Sequence, residues 1–179
     1  MSKPKLATVW LESCAGCHMS FLDIDERIVG LLEKVEVTAT PITDFKEIPY
    51  VDIGVIDGAI ANEEEKHIAL ELRKKAKILI AWGDCAVFGG INTMRNFLPV
   101  KDVLEGAYLH TPSTVNPDGV IPHGEVPALL PRALPADNFV KVDVYVPGCP
   151  PDADTIYYVF QELLEGRMPK VPSDMMRYD

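Results

Sequence analysis

The sequence has no apolar run long enough to cross a lipid bilayer, although 47% of its 179 residues are hydrophobic. Its first ten residues, MSKPKLATVW, also lack the apolar stretch and the small-residue cleavage site of a secretory signal. We therefore expect a cytoplasmic protein that does not bind a membrane. The length and composition suffice for one substantial hydrophobic core, so we predict a single domain over residues 1–179.

Basic residues are scarce relative to acidic ones. The chain has 17 lysines and arginines against 27 aspartates and glutamates, which gives a formal net charge of -10 at pH 7. A protein with this charge repels the phosphate backbone of nucleic acids. We therefore do not expect this protein to bind nucleic acids.

Cysteine is also scarce, with four residues in the chain. In the reducing compartment that we expect, a metal or redox role is favoured over structural disulfide bonds. The positions of the cysteines relative to the predicted strands therefore become informative.

Five short runs rich in valine and isoleucine predict β-strands. They cover residues 6–11, 35–40, 51–56, 77–82 and 142–147. The first and fourth runs are almost continuously apolar, which is typical of strands covered on both faces in a parallel sheet. Because helical patterns alternate with the strands, we predict an α/β, flavodoxin-like, doubly wound fold with five core strands in a mostly parallel sheet.

Three segments carry clear helical patterns. Apolar residues between Ser20 and Leu32 recur at spacings of three and four, which predicts one helix. The run NEEEKHIALELRKKAK starts with Asn62 as N-cap and has acidic residues in its first turn and basic residues in its last. A last helix is expected from near Asp152 to Gly166.

Two segments do not fit a minimal five-strand unit. The proline-rich insertion between Gly90 and Asn138 is long, and its one short helical pattern lies near residues 100–108. The closing segment RMPKVPSDMMRYD has no pattern able to bury itself. We expect partner proteins to contact both segments.

The four cysteines follow three of the predicted strands. Cys14 and Cys17 come after the first strand, Cys85 after the fourth and Cys149 after the fifth. Because the carboxyl ends of parallel strands meet at one edge of a sheet, we expect all four thiols to lie there. Four cysteines among glycines and prolines suit one tetrahedral thiolate site that holds an iron–sulfur cluster or a zinc ion.

Other interpretations use the same cysteines differently. The Cys14 and Cys17 pair has the spacing of a redox-active dithiol, but that role leaves Cys85 and Cys149 idle. Structural zinc sites usually have two close pairs of ligands rather than one pair and two distant single cysteines. Cys85 and Cys149 are also candidates for ordinary buried cysteines. A flavodoxin-like fold can also bind flavin at this edge, so a flavin- or zinc-binding adaptor module remains an alternative.

Glu12 and His18 flank the first cysteine pair. For Glu12, a solvated or interface carboxylate is favoured over contact with a cluster or a place in a proton path. His18 is expected to form a hydrogen bond near the cluster or the interface rather than to act as a ligand. We expect Trp10 and Trp82 to pack in the core.

Three segments resemble the cluster-binding motifs of the small subunits of [NiFe] hydrogenases. They are WLESCAGCHMSFLDIDER, ILIAWGDCAVFGGINTMRN and VPGCPPDADTI, in the order that this family has. Within the family, the sequence is most similar to the soluble, bidirectional NAD(P)-linked enzymes, in which a hydrogenase dimer is joined to a flavin-containing diaphorase. The resemblance covers most of the chain, including the closing PSDMMRYD.

The resemblance implies a set of cofactors and partners. Cys14, Cys17, Cys85 and Cys149 would bind one [4Fe-4S] cluster, the one nearest the nickel–iron centre. The NiFe(CN)2CO centre would lie on a large subunit, and further iron–sulfur clusters and FMN on diaphorase subunits. The chain would then have no catalytic residue of its own, and would serve as the electron-transfer subunit of a hydrogen:NAD(P)+ oxidoreductase.

Departures from the longer relatives are informative. No cysteine follows Cys149, whereas membrane-linked and periplasmic relatives have a C-terminal extension with ligands for two more clusters. We therefore expect the next electron carrier to lie on another polypeptide. The twin-arginine export signal of those relatives is also missing, which agrees with the expected cytoplasmic location. The alternative identity is the quinone-reductase subunit of respiratory complex I, which typically has adjacent cysteines in its first motif. Ala15 and Gly16 separate the cysteines here, which favours the hydrogenase family.

Overall fold

The computed structural model describes residues 3–44 and 47–176. The strands there are β1 (Lys5–Trp10), β2 (Glu36–Ala39), β3 (Val51–Asp57), β4 (Ile60–Asn62), β5 (Ala76–Trp82), β6 (Leu129–Leu134) and β7 (Val144–Val146). The α-helices are α1 (Gly16–Leu22), α2 (Arg27–Leu32), α3 (Glu63–Lys75), α4 (Gly83–Phe88), α5 (Val100–Tyr108) and α6 (Ala153–Leu164). Two 3-10 helices cover Gly90–Phe97 and Ala136–Asn138.

The central sheet has the strand order β2-β1-β3-β5-β7, and all its neighbouring strands are parallel. Its five strands are the five that the sequence predicts, with ends shifted by a few residues. The expected α/β fold with a mostly parallel five-stranded sheet is therefore confirmed. The strands are apolar on both faces because helices cover both sides of the sheet.

Two hydrophobic clusters fill the space between the sheet and its helices. On one face, Phe21 of α1, Leu31 of α2 and Phe160 of α6 belong to one cluster. On the other face, Leu72 of α3 and Val87 of α4 belong to the second. The sheet is therefore enclosed between two helical layers, as in other doubly covered α/β folds.

The register of the sheet aligns the carboxyl ends of its strands. Trp10 of β1 pairs with Asp57 of β3, Asp57 pairs with Trp82 of β5, and Trp82 pairs with Val146 of β7. These four residues form one row across the sheet. The loops that carry the cysteines leave from three of these strand ends, so parallel pairing alone brings distant parts of the sequence together.

The predicted ends of two helices are confirmed. Asn62 caps α3 with a capping box: its side chain accepts a hydrogen bond from Glu65 N (2.9 Å), and Glu65 Oε2 accepts one from Asn62 N (3.2 Å). At the start of α6, Asp152 Oδ1 accepts from Thr155 N (2.9 Å). Gly166, with φ of 75°, follows the end of α6.

The single helix predicted between Ser20 and Leu32 is wrong, because the chain forms α1 and α2 there instead. Asp25, between the two helices, has φ of 55°. Aspartate tolerates this left-handed conformation better than most residues, and a residue in this conformation interrupts the hydrogen bonds of the helix. The apolar periodicity continues across the break because both helices pack on the same face of the sheet.

The insertion contains more structure than its sequence predicts. The helical pattern near residues 100–108 is α5, but β6 was not predicted. β6 pairs antiparallel with β4, and these two strands form a separate small sheet. β4 has only three residues, and β6 contains a proline, so neither has a strong strand signal.

The closing segment packs partly on its own chain. Val171 lies against the cluster that includes α6, and Met175 O accepts a hydrogen bond from Thr155 Oγ1 (2.9 Å). The expectation that this segment cannot bury itself is therefore wrong for these residues, while its contact with a partner stays a prediction. The last three residues of PSDMMRYD lie outside the described part of the chain.

The helices are short in comparison with the thickness of a bilayer. No helix within residues 3–44 and 47–176 combines the length and the apolar character needed to span a membrane.

The packing of β3 against α3 predicts the effect of adding one methyl group. A Cβ at Gly54 would lie 2.8 Å from Ala76 Cβ and 3.0 Å from Leu72 Cδ1, so Gly54→Ala should lower the free energy of unfolding by about 1–3 kcal/mol. Gly30→Ala in α2 is the matched control, since nothing lies within 4 Å of that position and the helix should gain about 0.5–1 kcal/mol. Urea unfolding followed by tryptophan fluorescence measures both. Equal effects of the two substitutions would contradict this packing.

Candidate functional site

All four cysteines line one small cavity, of about 50 Å³, at the carboxyl edge of the sheet. Cys17 and Cys85 are buried, and Cys14 and Cys149 are exposed. The other residues of the cavity wall lie at the end of β3 or in the segments that follow β1, β5 and β7; they are Ser13, Gly16, Asp57, Asp84, Gly148 and Pro150. Within the described residues, no group of three or more His, Cys, Asp or Glu side chains is arranged to hold a single metal ion.

Glycines leave room for two of the thiols. Gly83 has φ of 81°, and a Cβ added there would lie 2.2 Å from Cys17 Sγ. Gly90 has φ of 51°, and its Cβ would lie 2.8 Å from Cys85 Sγ. Any larger residue at these positions would collide with a sulfur and would also strain the backbone. The glycines in WGDCAVFGG are therefore part of the thiol site.

Hydrogen bonds join the segment that carries Cys85 to the segment that carries Cys149. Asp84 N donates a hydrogen bond to Gly148 O (2.9 Å), and Gly148 N donates to Asp84 Oδ1 (2.7 Å). This reciprocal pair holds the start of α4, which follows β5 directly, against the loop after β7. Asp84 was not singled out from the sequence, because an aspartate beside a cysteine in a glycine-rich loop has no distinctive pattern.

The loop that carries Cys14 and Cys17 is fixed by three other contacts. Glu12 forms an antiparallel bridge with Ala59, in which Glu12 N donates to Ala59 O (3.0 Å) and Ala59 N donates to Glu12 O (2.9 Å). Asn92 Nδ2 also donates to Glu12 O (2.5 Å). Ser20 Oγ donates to Pro151 O (2.5 Å), which links α1 to the loop after Cys149. Hydrogen bonds therefore connect all three cysteine loops.

The Glu12 side chain is half-buried and does not line the cavity. Burial raises the pKa of Glu65, and the Glu12 carboxylate adds to that increase, so the two acidic groups lie near each other. The preferred expectation for Glu12, an interface or solvated carboxylate, stays a prediction.

His18 is buried beneath the first cysteine pair. Its Nδ1 lies 2.7 Å from Asp57 Oδ2, and its Nε2 lies 2.9 Å from Thr8 Oγ1. Trp10 and Trp82 contact the imidazole edge-on, each with ring centroids 5.1 Å away. Trp82 is buried as expected, but the prediction of core packing is wrong for Trp10, which is 38% exposed. Trp10 is the last residue of β1, where part of its side chain remains in solvent.

Sequence reasoning missed Asp57 and Thr8 as neighbours of the site. Asp57 is fully buried at the end of β3, a position that would normally hold an apolar residue in such a strand. That unusual carboxylate at the end of VDIGVID was the available signal. Thr8 offered none, since threonine is common in β-strands.

Burial makes the two inner thiols hard to ionise. Burial raises the pKa of the Cys17 thiol well above its ordinary value, and Asp57 and Cys85 increase it further. Burial also raises the pKa of Cys85, to about 11, with further contributions from Cys149 and Cys14. Because the negative charges of several thiolates would repel one another in this cavity, full ionisation requires a positively charged group among them.

The raised pKa of Cys85 predicts how the thiols of the metal-free, folded chain react. The folded state favours the neutral Cys85 thiol. Its contribution to the free energy of unfolding is fully present below the ordinary thiol pKa of about 9 and is lost as pH rises through about 11. Alkylation of Cys85 by iodoacetamide should therefore be slow at pH 8 and rise steeply between pH 9 and 11, while the exposed Cys14 reacts readily at pH 8. Peptide mass spectrometry after timed quenching measures both rates.

The control for this experiment is the same chain in guanidinium, where the thiols should react at similar rates. Equal alkylation of Cys85 and Cys14 in the folded chain at pH 8 would show that the inner thiol is not protected.

The sequence and fold of the chain were compared with those of known proteins. The family model described as NADH ubiquinone oxidoreductase, 20 Kd subunit, matches residues 14–163, a range that contains all four cysteines. The delta subunit of the NAD-reducing hydrogenase HoxS of Cupriavidus necator is 41% identical over 180 residues, which cover 99% of this chain and 86% of that subunit.

A longer relative and a solved structure are similarly close. One subunit of the F420-non-reducing hydrogenase of Methanothermobacter marburgensis is 41% identical over 96% of this chain, but the chain spans 56% of that subunit. The chain thus spans about half the length of some of its curated relatives. A chain in the crystal structure of an NAD+-reducing [NiFe]-hydrogenase in the H2-reduced state superposes with a TM-score of 0.96 and 38% identity, covering 99% of this chain and 100% of that one. The chain therefore belongs to the NADH ubiquinone oxidoreductase 20 kDa subunit family and, within it, to the hydrogenase small subunits that include the HoxS delta subunit.

Proposed function

We propose that Cys14, Cys17, Cys85 and Cys149 bind one [4Fe-4S] cluster, the one nearest the nickel–iron centre of a partner large subunit. The observation that carries this proposal is the convergence of all four thiols on one cavity. Thiolate is the usual protein ligand of iron–sulfur clusters, and a cluster needs four of them.

The residues around the cavity fit such a group. The Gly83 and Gly90 positions adjoin the inner thiols with no side chain, which leaves the sulfurs accessible from the cavity. The hydrogen bonds of Asp84 with Gly148 hold two of the cysteine loops in place before any metal binds. The negative charge of ionised thiols, unfavourable in the metal-free cavity, is balanced when iron binds.

The proposed role is electron transfer between two partners. Bound at this site, a cluster would store and release one electron at a time. We propose that the electrons pass between the nickel–iron site of the large subunit and a diaphorase that carries iron–sulfur clusters and FMN and reduces NAD(P). The chain's own residues bind and shield the cluster, and none acts as a catalytic acid or base. We further propose that the chain folds as one flavodoxin-like domain and works in the cytoplasm.

An exposed apolar surface next to the cavity supports contact with the large subunit. This surface, the 88–98 patch, consists of large apolar side chains that are each more than half exposed: Phe88, Ile91, Met94, Phe97 and Leu98. It begins three residues after Cys85 and continues along the 3-10 helix. Contiguous exposed apolar side chains of this kind mark interfaces with other proteins. Electron transfer at the cysteine site requires the partner to be close, and the patch meets that requirement.

A complex I type cluster subunit is the second candidate function. The family match includes that class, but the separated cysteines of the first motif favour the hydrogenase assignment. A zinc- or flavin-binding adaptor has no specific support from the site.

The cluster assignment predicts the outcome of three substitutions. Cys149→Ser should remove the cluster, because an alcohol is a much poorer ligand for iron than a thiolate. Gly83→Ala should also reduce cluster content several-fold, since the new Cβ would occupy the space of Cys17 Sγ. Gly124→Ala is the matched control: Gly124 has nearly the same φ (83°) but open space around it. Iron and sulfide analysis with low-temperature EPR of the reduced complex measures all three.

Full cluster content in Cys149→Ser would contradict the assignment of this ligand. Equal losses in Gly83→Ala and Gly124→Ala would show that backbone strain, and not the collision with sulfur, is responsible.

The 88–98 patch predicts the effect of placing charge on the interface. Ile91→Asp combined with Phe97→Asp should weaken co-purification with the large subunit at least tenfold, because the carboxylates would be buried against an apolar partner. Val115→Asp is the control, since Val115 is 94% exposed and does not belong to the patch. Affinity purification through a tag on this chain, with quantification of the large subunit, measures the effect. Undiminished recovery of the large subunit with the double variant would exclude the patch from the interface.

A further inference from the structure

The imidazole of His18 is held in one orientation by contacts on every side. It is 1% exposed, and both ring nitrogens have partners, Asp57 Oδ2 at 2.7 Å and Thr8 Oγ1 at 2.9 Å. The two tryptophan rings meet it at an interplanar angle of 88°. Rotation of the ring would break both hydrogen bonds inside a closed aromatic environment, which would leave buried polar atoms without partners.

The group consists of a carboxylate, an imidazole and a hydroxyl that lie within hydrogen-bond distance of one another. Burying a carboxylate charge is costly, and a purely structural role would be served as well by apolar side chains.

Asp57 directs that charge toward the cysteine cavity. Its carboxylate is fully buried and is part of the cavity wall with Cys17. His18 occupies Oδ2, whereas Oδ1 has no nitrogen or oxygen donor within the described residues. The carboxylate also adds to the increase in the pKa of the Cys17 thiol that burial causes, so it disfavours ionisation of that thiol. A bound group at Cys17 would therefore lie next to a fixed negative charge in a site of low dielectric constant.

We propose that Thr8 and His18 are positioning residues that hold the Asp57 carboxylate beside Cys17, and that this charge lowers the reduction potential of the cluster bound there. The inference rests on the proposed function, because it concerns the group that the four cysteines bind. A nearby negative charge opposes the addition of an electron, so the oxidised state is favoured. In the relay, this makes the reduced subunit a stronger donor to the next carrier.

The test is an EPR-monitored redox titration of the intact complex, in which dithionite supplies one electron to each oxidised cluster through mediators. Asp57→Asn keeps the shape of the side chain and removes its charge, so the midpoint potential should shift to a more positive value with cluster content preserved. Asp52→Asn is the matched control. Asp52 lies on the same strand, five residues and about 17 Å away, so its loss should leave the potential unchanged.

A second variant keeps the test decisive if Asp57→Asn fails to bind the cluster. Thr8→Val preserves the side-chain shape and removes the hydroxyl that satisfies His18 Nε2. The imidazole then loses one of the two contacts that fix it, so the Asp57 carboxylate is held less firmly beside Cys17 and the potential should shift in the positive direction by a smaller amount. A loaded Asp57→Asn protein with an unchanged potential would overturn the proposal. So would an unchanged potential in Thr8→Val if Asp57→Asn does not load, because the three residues would then be structural.

The failure of this inference is distinguishable from that of the proposed function. If the wild-type complex has no EPR signal that depends on the four cysteines, the cluster assignment itself is wrong. If that signal is present and the variants titrate at the wild-type potential, only the role of Asp57 is wrong.

Discussion

Four thiols confined to one small cavity are the constraint on which the rest of the site depends. Burial and mutual repulsion keep the inner two, Cys17 and Cys85, from ionising in the metal-free chain. The surrounding structure accommodates them at a cost in stability, with left-handed glycines against the sulfurs and a fully buried aspartate beside them. These features have no value for a hydrophobic core. They are consistent with a cavity that a cationic, thiolate-binding group completes.

The parallel sheet explains how so few residues form such a site. Pairing aligns the ends of β1, β3, β5 and β7, and each of the cysteine loops begins directly after one of these strands. Hydrogen bonds of Asp84 with Gly148 and of Glu12 with Ala59 then fix the segments after these strands. The fold thus determines which segments lie next to one another, and hydrogen bonds between these segments fix the distances between them. The proposed relay depends on both, because electron transfer requires a bound cluster that is rigidly held and near its partners.

Much of this arrangement was predictable from the sequence. Apolar runs defined the five strands of the central sheet, and the topology of parallel strands predicted that Cys14, Cys17, Cys85 and Cys149 would share one edge. The small sheet of β4 and β6 was not predictable, because short strands that pair over a long separation have little local signal. The contacts of His18 with Asp57 and Thr8 were equally hidden, since they depend on strand register rather than on spacing along the chain. The break at Asp25 was missed because a left-handed aspartate leaves the apolar periodicity intact.

Native mass spectrometry of the anaerobically purified complex tests the central claim most directly. This chain, released from the complex in the gas phase, should be heavier than its sequence by the mass of one [4Fe-4S] cluster. The Cys85→Ser chain should have the mass of the polypeptide alone. A wild-type chain released with one zinc ion, with one flavin or with no cofactor would contradict the account.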